Sequence, residues 1–373
     1  MQSITAPPRD SLTAAQVSAL ITGSGVRVSA GTELLASDLT VTEDISDDVA
    51  GGSVSRACLA TIHGTCRLSL SRELDWDTAL VRPFMILSDG ATSARFNLGV
   101  YSLATPEYRY AESPVTYDAQ GYDRLYLLNR EVGDSYSVAA GTDVLTAIRQ
   151  VFADAGLSGV LLDGSAAGKT LPRDKVWPLI PTEGQPETWL RIVNDLLAMV
   201  SYRGVWADQD GLYRSEPYVY PGTRGIEWTL DEGAYTTIQG EDRTLVRDGW
   251  GRPNKWIFVQ SNRASGAAAP TEGDGIYTVD EHASDPRGLT YPVQVSLDVA
   301  DQASLVALGD QRVASDKRRV STWRLSTAPL PLAGHFDVMT LVVNGIARRV
   351  QATDWEINLD GADMSWTAQE VTA

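Results

Sequence analysis

The sequence predicts an α+β fold that is mainly β, and three observations support this prediction. Apolar and polar residues alternate in short segments over most of the 373-residue chain, which is the period of half-buried strands. Clusters of Gly, Asp and Ser, such as Ser88-Asp89-Gly90, separate these segments. Only between about Thr142 and Tyr202 does the period change to that of a helix. We therefore expect two barrel-like β units, one before and one after a helical insert.

The N-terminal region combines one helix with several strands. Residues 11–21 follow two prolines and predict a short amphipathic helix. In segment 95–103, Phe96, Leu98 and Val100 fall on one side of an extended chain and more polar positions fall on the other. The predicted strands lie at residues 26–29, 39–42, 57–62, 66–71, 84–87, 95–103 and 115–128.

Two helices are predicted in the middle of the chain. The first begins after Thr142, a good N-cap residue, and ends at Gly156. The second begins at Pro186, because proline is favoured at the first helical position, and its apolar residues recur at helical spacing up to Val200. A third helix is predicted at residues 299–318, inside the second β-rich region.

Strands resume after the helical insert. The turn 208–211 predicts a hairpin between strands 204–207 and 212–215, and Asn344-Gly345 and Asp360-Gly361 predict two more. Segment 261–275 has too few apolar residues to pack, so we expect an exposed flexible loop. The other predicted strands lie at residues 226–230, 256–260, 276–280, 293–297, 323–326, 338–343, 347–352, 355–359 and 364–367.

Composition and charge argue against several functions. The formal net charge is −17, whereas proteins that bind nucleic acid through phosphates need clustered Lys and Arg. An acidic surface suits a channel that DNA crosses without being held. The N-terminus lacks the pattern of a signal peptide, and no apolar run is long enough to predict a membrane span.

Two motifs imitate ligand sites. Residues 163–170 read DGSAAGKT, like a phosphate-binding loop, but Asp163 replaces the first glycine and Pro172 interrupts the helix that should follow. Cys58, His63 and Cys66 could offer two sulfurs and a nitrogen, yet structural zinc needs a fourth ligand. A loop between elements and two small buried cysteines are the favoured interpretations. A disulfide between the cysteines would need a hairpin at His63-Gly64.

Two carboxylate-rich segments could carry hydrolytic chemistry. The first segment contains Asp280, Glu281, His282 and Asp285, and could form a hydrolytic or cation site, or a solvated turn. The second contains Asp75, Trp76 and Asp77, and could form a glycosidase pair, a sugar-stacking surface, or an edge strand with solvated acids. We favour the solvated turn for the first and the edge strand for the second, and we interpret His335 as part of a loop. No catalytic, cofactor-binding or metal-ligating residue is assigned, and no enzyme activity is predicted.

Residues 53–141 carry a series of motifs in a fixed order. They read HGTC, LDW with a downstream VRP, RFNLGVY and YDAQGYDRLYLL, and AGT ends the series at Thr142. The series resembles the baseplate-hub or minor tail proteins of long-tailed actinobacterial phages. This trimeric tail-tip hub family is also found in contractile injection particles.

The resemblance implies a virion protein of the tail tip, made in the host cytoplasm. Three copies would each contribute two barrel-like tube domains, so that a homotrimer adapts the sixfold tail tube to a threefold tip. The expected partners are the distal tail or tail-tube ring, the tape-measure protein and a spike or receptor-binding protein, while DNA passes without specific binding. The alternative is a carbohydrate- or receptor-binding β protein of the tail tip. The expected domains are residues 1–138, 139–215 with two helices, and 216–373 with helix 299–318.

Overall fold

A computed structural model describes most of the chain, namely residues 16, 19–21, 23, 25–110, 115–180, 186–232, 238–247, 251–261, 263, 268–318, 321–360 and 363–371. The N-terminal strands are β1 Arg27–Leu35, β2 Val41–Asp44, β3 Val49–Ala57, β4 Gly64–Leu70, β5 Leu80–Ser88, β6 Ser93–Asn97, β7 Tyr101–Arg109 and β8 Thr116–Asp123. The middle of the chain forms α1 Leu125–Leu128, β9 Tyr136–Val138, α2 Val144–Asp154, β10 Val160–Leu162, β11 Lys175–Trp177, α3 Trp189–Met199, β12 Trp206–Ala207 and β13 Tyr213–Ser215.

The remaining elements belong to the C-terminal part. They are β14 Trp228–Asp231, β15 Ile238–Arg247, β16 Lys255–Gln260, β17 Thr271–Glu272, β18 Gly275–Asp280, β19 Pro292–Leu297, α4 Gln302–Arg318, β20 Ser321–Thr327, β21 Val338–Val343, β22 Ile346–Asn358 and β23 Met364–Glu370. Two 3₁₀ helices, Ser46–Asp48 and His282–Ser284, complete the set.

One large sheet joins strands from the two ends of the chain. Its strands follow the order β15-β20-β23-β22-β3-β4-β8-β7-β5-β1-β2. The N-terminal and C-terminal strands meet at the antiparallel β3–β22 ladder, where Val54 lies opposite Ile357. The mainly β part of the prediction is confirmed. The two-barrel part is not confirmed, because no sheet among the described strands closes into a barrel.

Each half of the large sheet contains one strand that branches. Strand β5 pairs with β1 along its whole length and, on its other side, with β7 near Val81 and with β6 near Ile86. Strand β22 pairs with β23 on one side and, on its other side, first with β21 and then with β3. A register shift between Ala352 and Asp354 marks the change of partner. We call β5 and β22 the branch strands.

Three apolar clusters form the main cores. The largest spans residues 20–368 and includes Val54 and Ile357, so both ends of the chain contribute to it. The second packs α1, α2 and α3 against β9–β13. The third places α4 on the sheet of β16–β19, where a Cβ on Gly309 would lie 2.8 Å from ring carbons of Phe258 and Tyr277. Glycine therefore lets this helix lie close to the strands.

The predicted helices 142–155, 186–200 and 299–318 are confirmed as α2, α3 and α4, with corrected starts. The cap of α2 is Asp143, whose carboxylate accepts a hydrogen bond from the Thr146 amide at 2.8 Å. The cap of α3 is Thr188, which accepts from the Arg191 amide at 3.2 Å. Thr142 and Pro186 were the wrong starts because the residues that satisfy the free amides lie one or two positions later.

Several predicted strands need correction. The predicted strand 95–103 is two strands, since the extended backbone is interrupted around Gly99, which has a φ of +134°. Segment 57–62 is mostly the turn between β3 and β4, while 347–352 and 355–359 are the single strand β22. Strand 115–128 ends at Asp123, whose carboxylate accepts from the Leu125 amide and starts α1. Most of predicted helix 11–21 lies outside the described residues, but residues 16 and 19–21 are described and are helical. Parts of loop 261–275 also lie outside the described residues, although Thr271–Glu272 forms β17.

Other predicted features are present. The hairpin at 208–211 joins β12 and β13, and the Asn344-Gly345 turn joins β21 and β22 with a positive φ at both residues. Gly361 of the predicted turn Asp360-Gly361 lies outside the described residues. Within the ranges given above, we find no helix with the length and apolar character that crossing a membrane requires.

Candidate assembly surface

One face of the large sheet carries polar side chains, many of them with hydroxyl groups, that are partly or fully exposed. Across neighbouring strands, Ser326 lies opposite Ser365, Glu356 opposite Ser55, and Ser55 opposite Thr65. The hydroxyls of Ser55 and Thr65 are 2.7 Å apart and share a hydrogen bond. We call this surface the open face, and it comprises Ser53, Ser55, Thr65, Arg67, Gln120, Tyr122, Arg324, Ser326, Asp354, Glu356, Ser365 and Thr367.

The open face follows from the two-residue period of its strands. Residues between the polar positions point to the opposite side, where Val54, Cys66, Leu325, Ile357 and Trp366 are all buried. A one-residue shift of register would exchange the two faces, so burial of the apolar side fixes the polar side toward solvent.

The charges of the open face are nearly balanced. Its two positive side chains, Arg67 and Arg324, are balanced by two negative ones, Asp354 and Glu356. A groove of about 520 Å³ runs over this part of the sheet. Two dispersed arginines with two carboxylates cannot make the cluster of cations that phosphate binding needs. This surface is therefore suited to contact with water rather than to holding a polyanion.

The two ends of the large sheet are edge strands. All four residues of β2 are exposed at one end of the strand order, and β15 stands at the other end. Edge strands present backbone N–H and C=O groups that can pair with another chain. The sheet therefore has backbone available for assembly at both ends.

A buried ionic cluster stabilises the β1–β5 ladder near one edge. Arg82 and Arg95 each place a guanidinium nitrogen 2.6 Å from the Glu33 carboxylate, and Arg95 also lies over the Phe84 ring at 3.6 Å. Burial alone would raise the pKa of Glu33, but the hydrogen bonds from Arg95 and Arg82 outweigh burial and lower it. The carboxylate is thus charged and satisfied inside the sheet.

A second buried polar group lies where three parts of the chain meet. The rings of His63, in the β3–β4 turn, and His335, in the loop before β21, have centroids 4.7 Å apart. Trp206 of β12 stacks on His335 at 5.0 Å, and Phe336 meets it edge-on at 4.6 Å. Arg56 of β3 donates a hydrogen bond to the Ala207 carbonyl at 3.0 Å. We call His63, His335, Trp206, Phe336 and Arg56 the histidine joint.

Asp123 connects the histidine joint to the sheet. Its carboxylate accepts hydrogen bonds from the backbone amides of Gly64 at 2.6 Å and Leu125 at 3.0 Å. Burial raises the pKa of Asp123 to about 6, and the positive charge of Arg56 limits the rise. The residue therefore holds β4, β8 and α1 together through backbone amides.

The cysteine and histidine motif is split between two places. Cys58 and His63 line one cavity of about 160 Å³ together with His335, whereas Cys66 lies in the sheet core against Gly121. Both cysteines are free and buried. Among the described residues, no group of three or more His, Cys, Asp or Glu is placed to hold a metal ion. The sequence pattern missed His335 because it is distant in the chain.

The carboxylate-rich segment near His282 is tied into ion pairs. Asp280 contacts Lys255 at 2.7 Å and also His282, while Asp285 contacts Arg287 at 2.6 Å. Hydrogen bonds from Lys255 and Arg287 lower the pKa values of Asp280 and Asp285. These acids are held in the charged form and are paired within their own turn and strand.

The other two motifs also make local contacts. Asp75 accepts a hydrogen bond from the Thr78 hydroxyl at 2.8 Å and lies in a turn rather than in a strand. Trp76 donates to the Tyr108 hydroxyl at 3.1 Å. In the segment 163–170, Lys169 contacts Ser304 at 3.1 Å and Asp301 at 3.6 Å. The lysine thus joins this loop to α4.

Solved structures with a similar fold are tail proteins. A tail protein from Neisseria meningitidis MC58 matches with a TM-score of 0.65 and 13% identity over 92% of this chain and 96% of that one. The 43 kDa tail protein of prophage MuSo2 from Shewanella oneidensis matches with a TM-score of 0.59 and 11% identity over 92% and 98%.

This chain has the fold of these two tail proteins. A chain of a PdpA–VgrG complex also matches, with a TM-score of 0.51 and 9% identity over 93% of this chain and 65% of that one. No protein-family model matches the sequence, and neither does any curated protein. At these identities the likeness concerns the fold alone.

Proposed function

We propose that the chain is a structural virion protein that forms the hub of a phage tail tip or baseplate. The observation that carries this proposal is the large sheet, which unites both ends of the chain and leaves one broad polar face open. The fold shared with prophage tail proteins over 92% of the chain supports the same assignment. A related hub of a contractile injection particle is included in the proposal, since a VgrG complex contains a similar fold. No enzyme activity is proposed.

The two branch strands support a pair of related β units in each subunit. In the N-terminal half β5 pairs along its whole length with β1, and in the C-terminal half β22 pairs with β23 from Val350 to Ile357. On its other side each of these strands is shared by two neighbours, β6 and β7 for β5, and β21 and β3 for β22. Three copies with two such units each would present six similar units to a sixfold tail tube. We propose this homotrimer, with units within residues 1–138 and 216–373 and the helical residues 139–215 between them.

We assign the open face to the channel through which DNA passes. Its side chains are polar, more than half of them carry a hydroxyl group, and their charges balance, so they offer hydration without a cluster of cations. The edge strands β2 and β15 are then free to contact neighbouring subunits, the tail-tube ring, the tape-measure protein or a spike.

The test is cryo-electron microscopy of the native particle, with this chain fitted into density at the end of the tail tube. Three copies around the channel, with Ser55 and Ser365 facing the lumen, are expected. Density only at the periphery of the tip would contradict the hub and favour receptor binding. Density in a ring with the open face turned outward would retain the hub and contradict the channel assignment.

A second candidate function, glycan or receptor binding, is favoured by one aromatic group. Tyr110 is 75% exposed and stacks on Tyr108 at 5.8 Å, and Tyr108 donates a hydrogen bond to Glu73 at 2.8 Å. Exposed rings beside acceptors are typical of sugar-binding surfaces. Every tryptophan in the described ranges is at least partly buried, however, so tyrosine alone would provide the platform. If Tyr110→Ala abolishes adsorption of otherwise intact particles, this function is supported.

A further inference from the structure

The histidine joint contains two imidazoles whose Nδ1 atoms are buried and have no hydrogen-bond partner within the described part of the chain. The His335 side chain is buried and that of His63 is half-buried. The sequence contains only three histidines, and two of them are in contact here although they lie at positions 63 and 335. A buried polar atom without a hydrogen-bond partner lowers the stability of the folded state, so the contact between the two rings is a weak point of the structure.

The surroundings of the pair are unfavourable for a positive charge. Burial, and then the charge of Arg56, lower the pKa of His63 to about 3. Burial and the charges around it, those of His63, Arg56 and Arg203 among them, lower the pKa of His335 well below its usual value. Both rings are therefore neutral at pH 7. Among the described residues, the charged or titratable groups facing the joint are Arg56, Cys58, Asp123, Arg203, Asp208, Arg214, Glu216, Arg224, Asp337 and Asp354.

The joint holds together parts of the chain that are far apart in sequence. His63 belongs to the turn between β3 and β4, His335 belongs to the loop before β21, and Trp206 belongs to the β12–β13 hairpin. At this point the three segments are connected by ring contacts, by the Arg56 hydrogen bond to the Ala207 carbonyl, and by a hydrogen bond between the Phe336 backbone and Cys58. If the rings separate, Cys58, which is buried at the wall of a cavity of about 160 Å³ shared with both rings, becomes accessible to solvent.

We propose that the histidine joint is an acid-opened latch, in which protonation of His63 and His335 separates the β3–β4 turn from the loop before β21 and from β12. The closed state holds both rings neutral, whereas in the open state each ring is hydrated and can take up a proton. Opening therefore consumes up to two protons.

The direction of the pH effect follows from this difference. The pKa values are lower in the closed state than the ordinary value of about 6.5 in the open state. Stability of the closed latch is fully present above about pH 6.5 and falls as the pH drops toward the closed-state value. Each histidine raises the opening equilibrium constant about tenfold per pH unit in this range, so the pair gives about a hundredfold.

The experiment measures how strongly the protein protects its two cysteines. Cys58 lines the cavity of the joint, and Cys66 lies in the sheet core, so the second thiol is an internal reference. The full chain is treated with 4,4′-dithiodipyridine between pH 7.5 and 4.5, and the sites are separated by peptide mass analysis. Each rate is divided by the rate of the urea-unfolded chain at the same pH, which removes the intrinsic pH dependence of thiols.

We expect protection of Cys58 to fall steeply below pH 6.5 while protection of Cys66 changes little. His63→Gln with His335→Gln removes both titrating rings and should make the Cys58 profile nearly flat. His282→Gln is the matched control, since that histidine lies on the surface beside Asp280, and should leave the profile unchanged. Asp123 also titrates near pH 6, with the opposite sign, but it is present in all these variants and cancels in the comparison.

Three outcomes would overturn the latch. The first is a Cys58 profile that stays flat in the unsubstituted protein. In the second, Cys58 and Cys66 lose protection together, because the acid effect is then global unfolding. In the third, the double variant retains the acid response. If the double variant does not fold, the difference between Cys58 and Cys66 in the unsubstituted protein decides alone.

Discussion

The β3–β22 ladder and the histidine joint both connect distant parts of the chain, but by different interactions. In the ladder, Val54 and Ile357 lie opposite each other on two paired strands, and both side chains are fully buried. In the joint, His63 and His335 meet ring to ring with buried nitrogens that have no partner in the described chain. One connection is apolar and satisfied, and the other is polar and incompletely satisfied.

Because of this difference, the two connections should respond differently to a change of pH. Apolar burial and backbone hydrogen bonds between neutral groups do not depend on pH, so the ladder should be insensitive to acid. A buried imidazole with a lowered pKa loses stability when it takes up a proton, so the joint should be sensitive. The sheet is thus the permanent connection and the joint is the conditional one.

The largest expected effect is from removing apolar volume at the ladder. Ile357→Ala should lower the free energy of unfolding by about 2 to 5 kcal/mol, because it leaves a cavity in a fully buried site. Its neighbour Glu356 lies on the open face, and Glu356→Ala should change the free energy by about 0.5 kcal/mol or less. Chemical denaturation measures both. Equal losses would show that the two sides of β22 are not distinct.

The second prediction concerns the Glu33 carboxylate, a buried polar group that, unlike the histidine rings, has its hydrogen-bond partners. Glu33→Gln removes the charge that Arg82 and Arg95 share, and should cost about 3 to 5 kcal/mol because the buried Arg82 and the half-buried Arg95 lose their charged partner. Glu43→Gln is the surface control, since Glu43 pairs with Arg72 in solvent, and should cost about 0 to 1 kcal/mol.

The same ionic cluster has a defined pH signature. The pKa of Glu33 is lowered on folding, so its contribution is present above about pH 4.5 and is lost only below that value. Its loss therefore begins about two pH units below that of the histidine joint. A Glu33→Gln variant that removes acid sensitivity between pH 6.5 and 5 would contradict this separation, and pH-dependent thermal unfolding measures it.

The smallest effect concerns the hairpin that feeds β22. Gly345 has a φ of +72°, so Gly345→Ala should cost about 1 kcal/mol through left-handed backbone strain. Gly164 lies in a turn, is not left-handed and has open space around its Cα, so Gly164→Ala should change stability by about 0.5 kcal/mol or less. Denaturant midpoints should rank the two variants in that order.

Alternation in the sequence predicted most strands but not the strands that join the halves. Strand β3 was missed because Gly51, Gly52, Ser53 and Ser55 have low strand propensity, although its pairing with β22 organises the sheet. The single strand β22 was predicted as two because the register shift at Thr353 interrupts the period of two. Sequence patterns report local burial, and pairing between distant strands leaves no local mark.

The candidate surfaces were predictable to different degrees. The polar positions of the open face follow from alternation in strands such as β23, where the burial of Trp366 fixes the side of Ser365. The histidine joint could not be predicted, because His335 lies in a loop and nothing near it in sequence indicates contact with His63. The contact between the two histidines is a property of the tertiary structure and not of either local sequence.

The ladder between β3 and β22 also sets the order of events during synthesis. Residue 54 cannot find residue 357 until almost the whole chain has left the ribosome, so the N-terminal strands must wait with an unpaired edge at β3. A nascent chain with such an edge is exposed to wrong pairing with other copies. Completion of the sheet is therefore a late step, which waits for the C-terminal strand.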